Sequence, residues 1–299
     1  MRAVDDAILA TYLGGANTRR IRKALEPLLG TKHLSKSAVS RIVGRLKELF
    51  AEWRQRDLSG ERYAILFLDA IYLKVRMARR VISVPVLAAL GVQEDGQKVL
   101  VALEIAASES SRCWGDLMAS LIRRGLPEPL LLVTDGHAGL TKAIEAWPEA
   151  KVQRCTQHKW ENLLAHCPKH SHAEMKRDWD AIIHAESALA AREAYDAFLA
   201  KWKRICPPVA RSLEEAGLKL LTFYEFPKAM WKGLRSTNTV ENLNREFRRR
   251  TKTQASFGNA EAALTLLYGL VAFRHIDLRR ITGYKHVAAL MKAADTAAA

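Results

Sequence analysis

The sequence predicts an α/β protein built on a mixed sheet, and three observations carry that prediction. Between Tyr63 and Ile105 the chain runs through successive apolar stretches rich in Val, Ile, Leu and Tyr, the composition of strands. Leu130 to Thr134 is a short run that is almost wholly apolar, as expected of a strand buried on both faces. The segments on either side of that run have helical spacing, so strand, helix, strand, helix and strand alternate. Parallel strands joined by crossover helices follow from that order.

The composition agrees with a folded chain. Of 299 residues, 49% are hydrophobic and 26% charged, which excludes a disordered tail, a collagen-like repeat and a coiled-coil rod. The length suggests about two cores. With 47 Lys and Arg against 32 Asp and Glu, the net charge is +15, so a polyanionic partner is expected, nucleic acid before a membrane surface. The apolar stretch Val84 to Val92 contains Pro85 and has about half of the roughly 20 residues needed to cross a bilayer. Asp5 and Asp6 precede a short apolar patch where a signal peptide would place basic residues. Four cysteines are too few for a disulfide scaffold. A soluble, cytoplasmic protein with no membrane partner is the expectation.

Residues 1–60 read as helical and basic, with twelve Lys or Arg against six Asp or Glu. Ile21, Leu25, Leu28 and Leu29 have helical spacing and stop at Gly30; Ser35 then caps a second stripe through Val39, Ile42, Val43, Leu46 and Phe50. Two short helices, the second carrying Lys36 and Arg41 near its start, make a helix-turn-helix candidate for DNA; any helical hairpin is the alternative. Residues 61–154 hold the sheet. Tyr63 to Asp69, Tyr72 to Arg76, Arg80 to Val92 and Lys98 to Ile105 read as four strands, with a hairpin turn at Glu94-Asp95-Gly96. A helix from Ser111 to Gly125, the strand at Leu130, a helix from His137 to Trp147 and a strand around Lys151 to Gln153 follow. Residues 155–230 read as almost entirely helical. Residues 231–299 begin a long helix near Asn238 and another from Ala260 to His275.

Three acids stand out. Asp69 and Asp135 each end an apolar strand, and ligands gather beyond the carboxyl ends of strands in open α/β sheets. A solvated strand end for Asp69 and a helix N-cap for Asp135 are the alternatives. Glu241 lies off the Val240, Leu243 and Phe247 stripe of its helix, beside Asn244, Arg245 and Arg248. Its alternative is a capping box with Asn238.

Four blocks decide between these alternatives: Phe67-Leu-Asp69-Ala-Ile-Tyr72-Leu-Lys-Val-Arg76; Thr134-Asp135-Gly136-His137-Ala138-Gly139-Leu140; Gln153-Arg154-Cys155-x2-His158-x3-Asn162; and Ser236-Thr237-Asn238-x2-Glu241-x-Leu243-Asn244-Arg245-Glu246-x-Arg248-Arg249-Arg250-Thr251-Lys252. In this order, over about residues 35 to 275, they resemble the Mutator-type bacterial insertion-sequence transposases. The resemblance implies an RNase H-like mixed-sheet core with a helical insertion before the Glu. It also implies a DDE triad of Asp69, Asp135 and Glu241 that binds divalent metal, Mg²⁺ with Mn²⁺ able to substitute, and no organic cofactor. The activity implied is cleavage and strand transfer of DNA at element ends. The partners implied are double-stranded DNA, as terminal inverted repeats and target, and further copies of the chain when the ends are joined.

Other residues take supporting parts in this reading. Arg245, Arg248, Arg249, Arg250 and Lys252 place five cations in eight residues near Glu241, suited to DNA phosphates; a solvated helix face is the alternative. Cys155-x2-His158 matches the family's motif as a pair on one helix face beside the active site. With Cys167-x2-His170 it also spells a zinc-like pattern, against which the region between them, which reads as continuous helix, argues. Asn238, Asn244 and Trp231 complete the support. Stacking of Trp231 on an unpaired base is possible in chemistry, and core packing is preferred. His137 reads as polar surface. Family members typically carry a longer region before the helix-turn-helix. That makes a non-catalytic DNA-binding repressor, derived from a truncated transposase, the alternative function. An RNase H-like nuclease of hybrids or junctions is disfavoured by the Arg-rich helix.

Overall fold

The central strands are buried on both sides, and their side chains alternate between two hydrophobic clusters, so both faces of the sheet are covered. The computed structural model describes residues 2–13, 21, 25, 36–77, 80–251 and 260–298. Helices α1 (Arg2–Leu13) and α2 (Lys36–Gln55) precede the strands β1 (Ile65–Met77), β2 (Arg80–Val92) and β3 (Lys98–Ile105). Then come α3 (Ser111–Arg123), β4 (Leu131–Thr134), α4 (Ala138–Ala143) and β5 (Lys151–Arg154). The sheet order is β3-β2-β1-β4-β5. β2 pairs antiparallel to both β1 and β3, whereas β4 pairs parallel to both β1 and β5. The chain is therefore a mixed α/β structure, as the strand–helix alternation predicts.

One strand differs from expectation. Tyr63 to Asp69 and Tyr72 to Arg76 are not two strands but parts of the 13-residue β1, which pairs with β2 from Ile65↔Val92 to Met77↔Arg80. Ala70 and Ile71 continue the pleat without a turn residue, so nothing in the backbone breaks it. Asp69 consequently lies inside β1. What ends there is the parallel partner: β4 pairs with β1 only from Ile65↔Leu131 to Leu68↔Thr134.

On one face, Leu66, Leu68, Leu87, Ala89 and Leu132 pack against Trp114, Leu117 and Leu121 of α3 and Leu140 of α4. On the other face, Phe67, Ile71, Val86, Ala88, Leu90 and Val133 belong to the larger core. That core takes in α10 (Asn238–Thr251) and α11 (Ala260–Ala272), with α1 and α2 packed against α11. Gly269 of α11 allows this last approach, since a Cβ there would come within 2.7 Å of Leu13. Phe50 and Trp53 of α2 meet Tyr268 of α11 at ring separations of 5.4 and 5.1 Å.

Between β5 and α10 the chain is helical: α5 (Thr156–His166), α6 (His172–Ile183), α7 (Ala188–Ile205), α8 (Pro207–Ala216), short 3₁₀ turns, and α9 (Trp231–Leu234). Trp179, Phe198 and Trp202 are buried among these helices. The chain ends on α12 (Val287–Ala298). Among the described residues no helix is long and apolar enough to cross a membrane. Lys36 opens α2 and Arg41 is exposed on it; most of the preceding hairpin, including Ser35, and Lys252 lie outside the described residues.

Candidate active site

Strand parity brings the first two acids together. Asp69 follows Phe67 by two residues and Asp135 follows Val133 by two, so both belong to the sheet face that α10 covers. One step beyond the Leu68↔Thr134 pair, β1 carries Asp69 and the end of β4 carries Asp135. Asp69 is 5% exposed and accepts a hydrogen bond from the Ala70 amide at 2.8 Å. Burial pushes its carboxyl up to about 7. The His158 charge pulls against that, and the carboxylates of Asp135 and Glu241 add to it. The three acids thus share one electrostatic environment although the sequence scatters them over 172 residues, 69 to 241.

Asp135 is half-buried and is not the cap of α4. That cap is His137, exposed, whose Nδ1 accepts from the Gly139 amide at 3.2 Å. Asp135 Oδ1 accepts from the His137 amide at 2.8 Å, which fixes the carboxylate at the strand end. Gly136 between them has φ +80°, and a Cβ there would overlap the Arg154 guanidinium. Arg154, at the end of β5, reaches Glu215 of α8 at 2.9 and 3.3 Å, and Lys159 of α5 reaches the same carboxylate at 2.7 Å.

Glu241 arrives on α10, whose Val240, Leu243 and Phe247 are buried and whose packing partner is β1. The capping frame is shifted by one residue from the Asn238 box. The Thr237 carbonyl takes the Val240 and Glu241 amides at 2.7 and 2.9 Å, so Thr237 is the cap and Glu241 lies one place too late to close a box. Asn238 is exposed at the helix start, and Asn244 is 5% exposed on the buried side.

Thr237 is the residue that sequence reasoning missed. Its amide donates to Cys155 Sγ at 3.3 Å, and its hydroxyl lies 3.4 Å from the same sulfur. That hydroxyl is also 3.3 Å from His158 Nδ1 and 3.5 Å from Glu241 Oε1. It joins the start of α5 to the start of α10. His158 is pushed up to about 9 by its hydrogen bond with Cys155 and by the charges of Cys155, Asp69 and Asp135, against its burial. The structure places Cys155 and His158 within 4.8 Å of Glu241, and His158 within electrostatic reach of Asp69 and Asp135. Cys167 and His170 do not join them: the rest of α5 after His158 runs between the two halves, about 13 Å of helix, and Cys167 Sγ turns to the Pro168 carbonyl at 3.6 Å.

Along α10, Arg245, Arg248 and Arg249 are exposed. Arg245 bonds to Asn242 at 2.8 Å and Arg249 to Glu246 at 2.7 Å. Arg250 is half-buried and donates to the His275 carbonyl at 3.4 Å. Trp231 donates its indole N–H to the Phe226 carbonyl at 2.7 Å and meets Tyr224 edge-on at 4.6 Å. That is a packing environment.

Comparisons with known proteins give the family of the chain. A sequence profile described as "Transposase, Mutator family" matches residues 1–279. The chain belongs to that family. It is 36% identical over 263 residues to the transposase for insertion sequence element IS905 of Lactococcus lactis, covering 87% of this chain and 66% of that protein. It is 36% identical over 286 residues to the IS1081 transposase of Mycobacterium tuberculosis, covering 94% and 69%. With the IS6120 transposase of Mycolicibacterium smegmatis the identity is 34% over 292 residues, covering 97% and 90%. The chain spans about two thirds of the length of the first two.

Proposed function

We propose that the chain is a DDE-type transposase that cuts and rejoins DNA strands at insertion-sequence ends, with the five-stranded sheet as an RNase H-like core. The observation that carries this reading is that Asp135 and Glu241, from two distant stretches, both act on the buried Asp69 carboxyl beside one covered sheet face, although the oxygens of the three acids do not all lie within 4.8 Å of one another. Family membership and relatives named as insertion-sequence transposases support it.

The donor set fits a hard divalent ion. Three carboxylates offer oxygen ligands; Asp69, raised chiefly by burial with smaller contributions from the charges of Asp135 and Glu241, is a carboxyl whose ionised form a divalent cation would favour. Asp69, Asp135 and Glu241 would hold it, drawn closer together than they stand here without an ion. Mg²⁺, or Mn²⁺ in its place, supplies Lewis-acid polarisation of the phosphodiester and offsets charge on the attacking and leaving oxygens. The chain's residues orient the acids: Ala70 and His137 amides fix the two aspartates, and the Thr237 hydroxyl steadies Glu241. Water hydrolyses one phosphodiester and frees a 3′-hydroxyl, which then displaces the oxygen of a second phosphodiester. No enzyme-linked intermediate is needed.

Arg245, Arg248 and Arg249 present cations beside the site for duplex phosphates. Lys252, Lys36 and Arg41 extend the basic set, and residues 1–60 serve as the helix-turn-helix-like reader of the ends. Residues 61–154 and 231–299 form the core around the 155–230 insertion. Two ends are joined by more than one copy, in the cytoplasm where the element's DNA lies. The test is strand transfer on element-end oligonucleotides with Mg²⁺ or Mn²⁺. Products should form with the wild type and vanish for Asp69→Asn, Asp135→Asn and Glu241→Gln. Equal cleavage by these variants overturns the assignment, and binding of end DNA without any cutting favours the repressor.

A further inference from the structure

Beside the three acids lies a second donor set of different chemistry. Cys155 Sγ, a His158 ring nitrogen and a Glu241 carboxylate oxygen all lie within 4.8 Å of one another. These atoms come from the turn before α5, from α5 itself and from the first turn of α10. Among the described residues this is the His, Cys, Asp and Glu cluster close enough to share an ion. Its thiol and imidazole are poor ligands for Mg²⁺ and good ones for a borderline-soft ion.

We propose that Cys155, His158 and Glu241 form a binding corner for a borderline-soft divalent metal of the Zn²⁺ class, sharing Glu241 with the hard-ion site. Three protein ligands from N, S and O leave a fourth tetrahedral position for water or a neighbouring group. The Thr237 amide already donates to Cys155 Sγ at 3.3 Å, the outer-shell bond that orients a thiolate ligand. Cys155 is fully buried, whereas His158 and Glu241 are half-buried and leave a path for the ion. Binding releases the thiol proton of Cys155, and any proton on the ligating His158 nitrogen, to solvent. Because Glu241 is shared, an ion in this corner withdraws one acid from the Mg²⁺ set. The existence of the corner does not rest on the transposase reading; only that competition does.

Co²⁺ titration of the chelator-treated full chain, without DNA, tests it. The expected result is a thiolate-to-cobalt charge-transfer band with tetrahedral visible bands, saturating at one equivalent and displaced by Zn²⁺. Cys155→Ser should abolish the charge-transfer band. His158→Gln and Glu241→Gln should weaken cobalt affinity tenfold or more, and both remain informative if Cys155→Ser does not fold. Cys113→Ser, Cys167→Ser and Cys206→Ser should keep the band. No thiolate band in the wild type, its survival in folded Cys155→Ser, or its loss in folded Cys167→Ser overturns the proposal. So does unchanged cobalt affinity in both His158→Gln and Glu241→Gln. None of these outcomes bears on strand transfer, so the two readings fail separately.

Discussion

The guanidinium of Arg154 fills the space that a side chain on Gly136 would occupy. Gly136 directly follows Asp135, and its φ of +80° is a conformation other residues rarely adopt. Gly136→Ala should therefore suffer twice, from backbone strain and from displacement of Arg154. A loss of about 2–4 kcal/mol is expected in urea unfolding. Adding Arg154→Ala to Gly136→Ala removes the overlap but also the Arg154 half of the ion pair with Glu215, so it should not restore stability.

The charge on Asp69 should make the metal-free protein less stable as pH rises. Its folded pKa, about 7, lies above the ordinary value of 3.8. Its contribution is therefore fully present below about pH 4 and is lost as the pH passes through 7. Asp69→Asn removes that loss. In chelator the variant should gain of order 1–3 kcal/mol over the wild type at pH 8 and nothing at pH 4, read by denaturant titration at both. A gain that is the same at both pH values would contradict a buried, repelled carboxylate. His158 adds a later slope in the same direction: its folded pKa, about 9, is also raised, so its contribution is present below about 6.5 and lost through 9.

How much of this was legible in the sequence depends on the range of each interaction. The strands after Tyr63 and the end of β4 at Asp135 were legible because composition and pleat are local. The division of β1 into two strands was a misreading: Asp69 resembles a terminus because an acid interrupts the apolar run, yet the β2 ladder carries the backbone through it. The cap at α10 was misplaced by one because Ser236-Thr-Asn-Thr239 offers four capping residues in a row. Only the buried sulfur of Cys155, 82 residues away, selects Thr237. The shared carboxylate of Glu215, which ties Arg154 and Lys159 together, has no local signature at all.

Thr237 gives a test of positioning apart from chemistry. Thr237→Val keeps the shape and loses the hydroxyl that links His158 and Glu241, whereas Thr237→Ser keeps the link. Strand transfer should fall about 10–100-fold in Thr237→Val, in the range of outer-shell changes at metal sites. The Mg²⁺ concentration for half-maximal rate should rise with it. Thr237→Ser should recover most of both. A merely structural role would lower the folded fraction without moving the metal requirement.

The arginines of α10 should divide by where they point. Arg245 is exposed and, among the described residues, bonds to Asn242 of the same helix at 2.8 Å, a contact that duplex phosphate can replace. Arg245→Ala should weaken DNA binding at every sequence and lower the slope of log K against log salt by about 0.9, the value of one phosphate contact on duplex DNA. Its unfolding midpoint should hardly move. Arg250 reaches inward to the His275 carbonyl beyond the end of α11. Arg250→Ala should lower stability by about 1–2 kcal/mol, the loss of a charged hydrogen bond at a half-buried position, and leave the salt slope as it is. Salt-dependent binding and denaturant unfolding measured on both variants give this crossed pattern if α10 faces DNA through its outer side. Equal slopes for wild type and Arg245→Ala would remove this helix face from the DNA path.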